Sequence, residues 1–233
     1  MSGETSQQAL PFPPLPRRAV PFIEGAANEA ARSQLSLWRR RLGTPGRPLA
    51  CILAITGPEG SGKTMLLERE AEEFGVPVRN SGTDFEELLS GDPAAVAVDD
   101  AHDFEPLDLF ALIEAAAGRR VPLLLAGAGR SVSWAGPKDR PLPDLASRLR
   151  SIETVSLAPP DEAMLAQVLD AELRRRGLRL PFAATAEAAS HLRREFAAAS
   201  GFAERVEAVA ARGYRSHKAL LRDALAEAGR FTL

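Results

Sequence analysis

Gly57-Pro58-Glu59-Gly60-Ser61-Gly62-Lys63-Thr64 matches G-x-x-x-x-G-K-[ST], the pattern of a phosphate-binding loop. The residues before it, Leu49 to Thr56, are almost wholly apolar and predict a buried strand. Those after it, Thr64 to Phe74, predict a helix with Met65, Leu66 and Phe74 among its apolar positions. A strand that turns through glycines into a helix aims several backbone N–H groups and the positive helix end at one spot. A polyphosphate fits that spot, with Lys63 reaching the outer phosphates and the Thr64 hydroxyl ligating Mg²⁺.

The whole chain bounds this reading. Its 233 residues suit one large domain or two modest ones. A net charge of -2 argues against a mainly nucleic-acid-binding protein. The single cysteine, Cys51, allows no disulfide within the chain and points to a reducing compartment. No apolar run approaches the ~18 residues of a membrane span, so a cytoplasmic protein with no membrane partner is expected. His102, His191 and His217 are scattered and have no cysteine partners, so no zinc site is expected.

Further along, Ala94 to Val98 are small and apolar, as suits a central parallel strand, and the run ends in Asp99-Asp100. Carboxylates at the carboxyl end of such a strand face the ligand crevice of an open α/β sheet. Asp99, 35 positions beyond Thr64, is placed to hold Mg²⁺ through water, and Asp100 follows it at the strand end. Val76–Arg79, Val121–Ala126 and Ile152–Leu157 complete a five-stranded parallel sheet. A helix is predicted over Leu107–Ala117, capped by Gly118, and another over Ala26–Arg41 with Leu35, Leu37 and Trp38 on its apolar stripe. After the strand Val121–Ala126 no polar side chain appears until Arg130 and Ser131.

A short helix opens at Pro143, with Leu145 and Leu149 on one face and Arg148 pointing elsewhere. From Asp161 onward the pattern is all helical: Asp161–Arg176, Ala184–Arg194, a third helix to about Ala211, and Ser216–Ala228. Residues 1–21 are proline-rich and predict an extended tail, 22–158 an α/β nucleotide-binding domain, and 159–233 a helical lid.

Phe22-Ile23-Glu24-Gly25 with Asn28, the loop Gly57–Thr64, Val98-Asp99-Asp100-Ala101 and Leu142-Pro143-Asp144-Leu145-Ala146-Ser147-Arg148-Leu149 together resemble the DnaA-like AAA+ family of P-loop ATPases. Within that family the likeness is to the Hda-type regulatory inactivators of DnaA. The resemblance implies an AAA+ core with a C-terminal helical lid, holding ADP or ATP with Mg²⁺. It implies adenine contact at Phe22 and Ile23, although the same residues also suit simple packing under the first helix. Arg148 becomes an arginine offered to a neighbour's nucleotide, against the plain alternative of a solvated surface arginine. Arg194, in Arg194-Glu195-Phe196, becomes a lid arginine on the phosphates, preferred over Arg193.

The tail segment Gln7-Gln8-Ala9-Leu10-Pro11-Phe12 resembles the Q-x-x-L-x-[FL] peptide that docks on the DNA polymerase III sliding clamp, its beta subunit, with Gln7, Leu10 and Phe12 as contacts. DnaA and the clamp are therefore the implied partners. The initiator's C-terminal helix-turn-helix has no counterpart here, so sequence-specific DNA binding is not expected; homo-oligomerisation is left open. Two departures bear on the reading: the first-sensor polar residue is absent, and Arg150-Ser151-Ile152 replaces the Trp-Gly that often follows Ser-Arg-Leu. The resemblance puts Asp100 where the family carries a longer, water-activating glutamate, so Asp100 becomes the catalytic acidic residue; its shorter reach and the missing sensor imply slow self-hydrolysis.

Overall fold

The computed structural model describes residues 22–43, 48–83 and 85–230. In chain order the elements are α1 (Ala26–Arg41), β1 (Ile52–Gly57), α2 (Lys63–Phe74), β2 (Val78–Arg79), α3 (Phe85–Leu88), β3 (Val96–Val98), α4 (Pro106–Arg119), β4 (Leu123–Ala128), α5 (Pro143–Ser151), β5 (Glu153–Ser156), α6 (Glu162–Arg175), α7 (Phe182–Ala189), α8 (Phe196–Ala211) and α9 (His217–Arg230). Among the described residues the strands form a single parallel sheet in the order β2-β3-β4-β1-β5.

Alternation along the central strands feeds two cores. Ile52 and Ala54 of β1 and Leu123 and Leu125 of β4 join Leu109, Leu112, Leu145 and Leu149 on the face covered by α4 and α5. Leu53, Ile55, Leu124 and Ala126 point the other way, to Leu35 and Trp38 of α1 and Leu66 and Leu67 of α2. A third core, centred on Leu169, Phe202 and Val206, lies mainly among α6–α9, with Ile23 and Ala27 packed against it. There the buried Glu172 accepts hydrogen bonds from Arg175 and Arg176 of its own helix end and from Ser200 of α8. Burial works to raise the Glu172 pKa, but those donors outweigh it and hold the carboxyl below its usual range.

Several boundaries differ from expectation. The strand begins at Ile52, not Leu49, because its ladder with β4 starts at Ile52 opposite Leu123; Pro48–Cys51 form a 3₁₀ turn instead. Trp38 is buried and its indole donates to the Ala50 carbonyl at 3.0 Å, but Leu37 is exposed, since it lies about 200° from Leu35 on the helical wheel. Gly118 does not cap α4: the helix continues through Arg119 and is capped by Arg120, in the left-handed region at φ 57. α7 ends at Ala189, so Arg194 lies on the segment joining α7 to α8 rather than on a helix.

Candidate functional site

β1 delivers the chain into the glycine loop, and Gly62, at φ 88, turns it into α2. The Lys63 Nζ folds back to donate to the Pro58 carbonyl at 2.8 Å. Burial pulls its pKa below the usual lysine range, against the opposing charges of Asp99, Asp100 and Glu59. The Thr64 hydroxyl donates to Asp99 Oδ2 at 2.6 Å, so the loop and the end of β3 meet as the spacing predicts. The other Asp99 oxygen accepts the Asp100 N–H at 2.9 Å. Asp100 itself is exposed, at φ 50, and opens the 3₁₀ turn Ala101–Asp103.

The loop fits a phosphate chain on its own geometry. Ser61 Oγ is buried without a hydrogen-bond partner, a cost normally met by a ligand or water. A Cβ added at Gly57 would stand 2.8 Å from that hydroxyl, so the space beside it is reserved. A cationic Lys63, a helix start and a Thr64–Asp99 pair around it are the groups that a polyphosphate and its divalent ion require.

Beside the loop lies an apolar pocket lined by Phe22, Ile23, Met65, Leu157, Met164 and Phe196. Asn28 shapes its rim: its amide donates to the Ile23 carbonyl at 2.9 Å and accepts the Gly25 N–H at 3.1 Å. Glu24 accepts from Arg69, and also from Arg32, and these hold its carboxyl below the usual range. The Arg69 guanidinium lies 4.8 Å from the centre of the Phe22 ring. The pocket's volume is only about 20 Å³, room for about one water and far short of a purine ring.

The lid closes it. The Phe196 N–H, the first of α8, donates to the Gly60 carbonyl at 3.1 Å. A Cβ at Gly62 would come within 2.7 Å of the Phe196 ring, and one at Gly60 within 3.0 Å of Glu195 Cβ. Glu195 and Phe196 thus rest directly on the loop glycines. Met164 and Phe196, which complete the pocket, carry no sign of that role in the sequence.

The remaining expected residues are distributed unequally. Arg194 is exposed and has no ion-pair partner among the described residues, whereas Arg193 pairs with Glu195 at 2.8 Å. Arg148 does not join the loop of its own chain. It lies on α5 against α4, its Nε 2.6 Å and its Nη2 3.1 Å from the two carboxylate oxygens of Glu114. At the end of β4 no polar side chain emerges: Gly127 packs under the Trp134 ring, and the Trp134 indole donates to the Ala128 carbonyl at 2.8 Å. The polar group there comes from elsewhere, since His102 Nδ1 accepts the Ala128 N–H at 3.3 Å. That contact leaves the proton of a neutral His102 on Nε2. His102 clusters with Asp100 and Asp103; in sequence it stands 26 positions from Ala128, with no local signal of the approach. Gln7, Leu10 and Phe12 lie outside the described residues.

No protein-family profile matches the chain, and no curated protein matches it in sequence. Solved structures do match it in fold. Domain III of the Thermotoga maritima replication initiation protein DnaA superposes with a TM-score of 0.64 at 16% identity, over 88% of this chain and 94% of that one. The Thermotoga maritima RuvB Holliday junction branch migration motor gives 0.64 at 17% identity, over 87% and 69%. AMPPCP-bound DnaA from Aquifex aeolicus gives 0.57 at 19% identity over 83% of this chain, which spans 64% of that protein's length. The shared architecture is the AAA+ P-loop NTPase fold.

Proposed function

We propose that this chain is a DnaA-like AAA+ regulator that holds ADP or ATP and, in company with the DNA sliding clamp, stimulates hydrolysis of DnaA-bound ATP and so restrains replication initiation. The observation that carries the nucleotide half is the 2.6 Å contact of Thr64 with Asp99 beside the desolvated Lys63 and the unpartnered Ser61 hydroxyl. In this reading the tail 1–21 tethers the protein to the clamp through Gln7, Leu10 and Phe12, 22–158 binds the nucleotide, and 159–233 is the lid. Thr64 and, through water, Asp99 would hold a Mg²⁺, which when bound offsets phosphate charge. The backbone amides of Gly57–Thr64 and Lys63 bind the phosphates, Ile23 and Phe22 take the base once Phe196 and Met164 draw back to open the pocket between them, and Arg194 reaches in from the segment before α8. The protein works in the cytoplasm as a regulator with little turnover of its own. Asp100 is short and turned outward, and β4 supplies no side chain to orient a water.

Arg148 is the group lent to DnaA. Its guanidinium would stabilise charge building on phosphate oxygens in the partner's site, an effect worth ~10³–10⁵ in rate. To do so it must leave Glu114. Both side chains are about two-fifths exposed, and exposed pairs contribute about 1 kcal/mol or less, so the release is small against the gain. A second reading, an adaptor that binds clamp and DnaA without lending a side chain, is favoured by that same Arg148–Glu114 pair. Phosphate release from ATP-loaded DnaA, measured with clamped DNA, separates them. Arg148→Ala is expected to keep nucleotide and clamp binding and abolish stimulation; full stimulation by that variant refutes the assignment.

A further inference from the structure

Parallel sheets are ordinarily covered on both faces. Here one corner is not. β5 is an edge strand; Val155 faces the core with α1 and α2, while Thr154 and Ser156 face the opposite side and are exposed. In register beside them the apolar β1 row Ile52, Ala54 ends in Thr56, opposite Ser156. The end of the covering helix α5, with Leu149 and Arg150, borders an open cleft of about 490 Å³.

The lining of that cleft has one chemical character. Four hydroxyls, those of Thr56, Ser131, Thr154 and Ser156, and two guanidiniums, those of Arg130 and Arg150, line it, and no carboxylate does. Thr56 and Ser156 form a hydrogen-bonded pair at 2.9 Å, but the other two hydroxyls are weakly engaged. Ser131 is buried, 8% exposed, yet its Oγ has Thr154 Oγ1 only at 3.5 Å, and Thr154 reaches the Ile152 carbonyl at the same distance. Good O–H···O bonds are roughly 0.7 Å shorter. Neither guanidinium has an ion-pair or hydrogen-bond partner among the described residues, whereas that of Arg148, on the same helix as Arg150, is paired with Glu114. Arg150 is set apart from its neighbour Arg148 by helical geometry: two residues on, it projects from the other flank of α5.

We infer that this cleft is a second anion site, distinct from the glycine loop, built to take a phosphate group between Arg130 and Arg150 with the Ser131 and Thr154 hydroxyls as neutral donors. Paired guanidiniums match phosphate oxygens in a fork geometry, and the hydroxyls turn their protons to whatever the oxygens require. The phosphate belongs either to a free ion or to a nucleic-acid strand, since the cleft is open to the surface and contacts with phosphodiesters carry no base information.

The test uses the full chain and two probes, inorganic phosphate followed by calorimetry and a labelled twelve-residue oligothymidylate followed by anisotropy at two salt concentrations. Each is measured on wild type, Lys63→Ala, Arg130→Ala/Arg150→Ala and Thr154→Val. Lys63→Ala removes the loop lysine, so binding that survives it unchanged belongs outside the loop. The double arginine variant is expected to weaken binding about a hundredfold, about tenfold for each charge-assisted contact, and Thr154→Val severalfold. Competition between oligothymidylate and phosphate, with affinity falling steeply in salt, assigns the strand; phosphate binding without oligothymidylate assigns the free ion. Both uphold the site. Equal binding by the double arginine variant, loss of binding in Lys63→Ala alone, or no binding of either probe overturns it. Arg130 and Arg150 are exposed, so their removal leaves the fold intact, and Thr154→Val, on an edge strand that favours β-branched residues, gives an independent reading.

Discussion

Gly62→Ala tests whether the lid rests on the glycine loop. Two penalties apply, and the structure separates them. Gly62 sits at φ 88, where a Cβ costs about 1–2 kcal/mol by backbone sterics alone. The same Cβ would also come within 2.7 Å of the Phe196 ring. That ring cannot simply swing clear, because its backbone N–H is tied to the Gly60 carbonyl and the side chain packs on the lid core. Overpacking of this kind adds about 1–3 kcal/mol. Gly62→Ala alone should therefore lower the unfolding free energy by about 2–5 kcal/mol, summing the two ranges. In a Phe196→Ala background the ring is gone and only the backbone part, about 1–2 kcal/mol, should remain. Urea titrations of the four proteins close the double-mutant cycle, with a coupling of about 1–3 kcal/mol expected. Equal losses in the two backgrounds, within about 0.5 kcal/mol, would show that Phe196 does not press on the loop in solution and would undo the closed-lid description.

Three further outcomes follow from particular contacts. Glu114→Gln frees Arg148 and should change stability by no more than about 1 kcal/mol while stimulation of DnaA is retained or raised; a loss of stimulation equal to that of Arg148→Ala would mean that the pair itself is the working unit. Gln7→Ala with Leu10→Ala should abolish retention on immobilised clamp and leave thermal stability unchanged, and undiminished retention refutes the docking peptide. Glu172→Gln should destabilise the lid by about 3 kcal/mol at pH 7, at the low end for a broken buried pair because Arg176 keeps Glu204 and Glu207. The Arg175, Arg176 and Ser200 donors hold the folded carboxyl below the usual carboxylate range, so its contribution is present above the unfolded pKa and fades as pH falls through the folded pKa. A difference between wild type and variant that persists undiminished well below pH 4.5 in urea melts would contradict the assignment.

What could be read from the chain was whatever depends on neighbours in sequence. Gly57–Thr64 identified itself because a strand, a glycine turn and a helix start are consecutive, and Asp99 because a short apolar run ends there. α1, α5 and α6 followed from periodicity, with Pro143 at the first turn of α5 and Asp161 capping α6 through its bond from the Met164 N–H at 2.7 Å. What failed was whatever tertiary contact decides. Alanine-rich propensity carries a helix from Ala184 on to Arg194, but the chain breaks after Ala189 so that Phe196 can begin a new helix against Gly60. The partner of Arg148 is 34 positions away, and that of the Ala128 amide 26, so neither Glu114 nor His102 announced its role. The hydroxyl row on β5 looked like an ordinary strand, because only the sheet order makes Glu153–Ser156 an edge.

The bond between the Phe196 amide and the Gly60 carbonyl makes the helical bundle a lever with its short arm on the loop. Its long arm is α8, which runs from that contact to Ala211 and carries Glu204 and Glu207 outward. A molecule that grips the outer arm and tilts it must strain or release the inner one, and the exchange is symmetrical by thermodynamic necessity. Whatever factor loop occupancy multiplies the grip by, the grip multiplies loop occupancy by the same factor. Under the proposed function, a nucleotide in the loop and a partner on α8 would sense each other by that route, with no signal passing through the sheet.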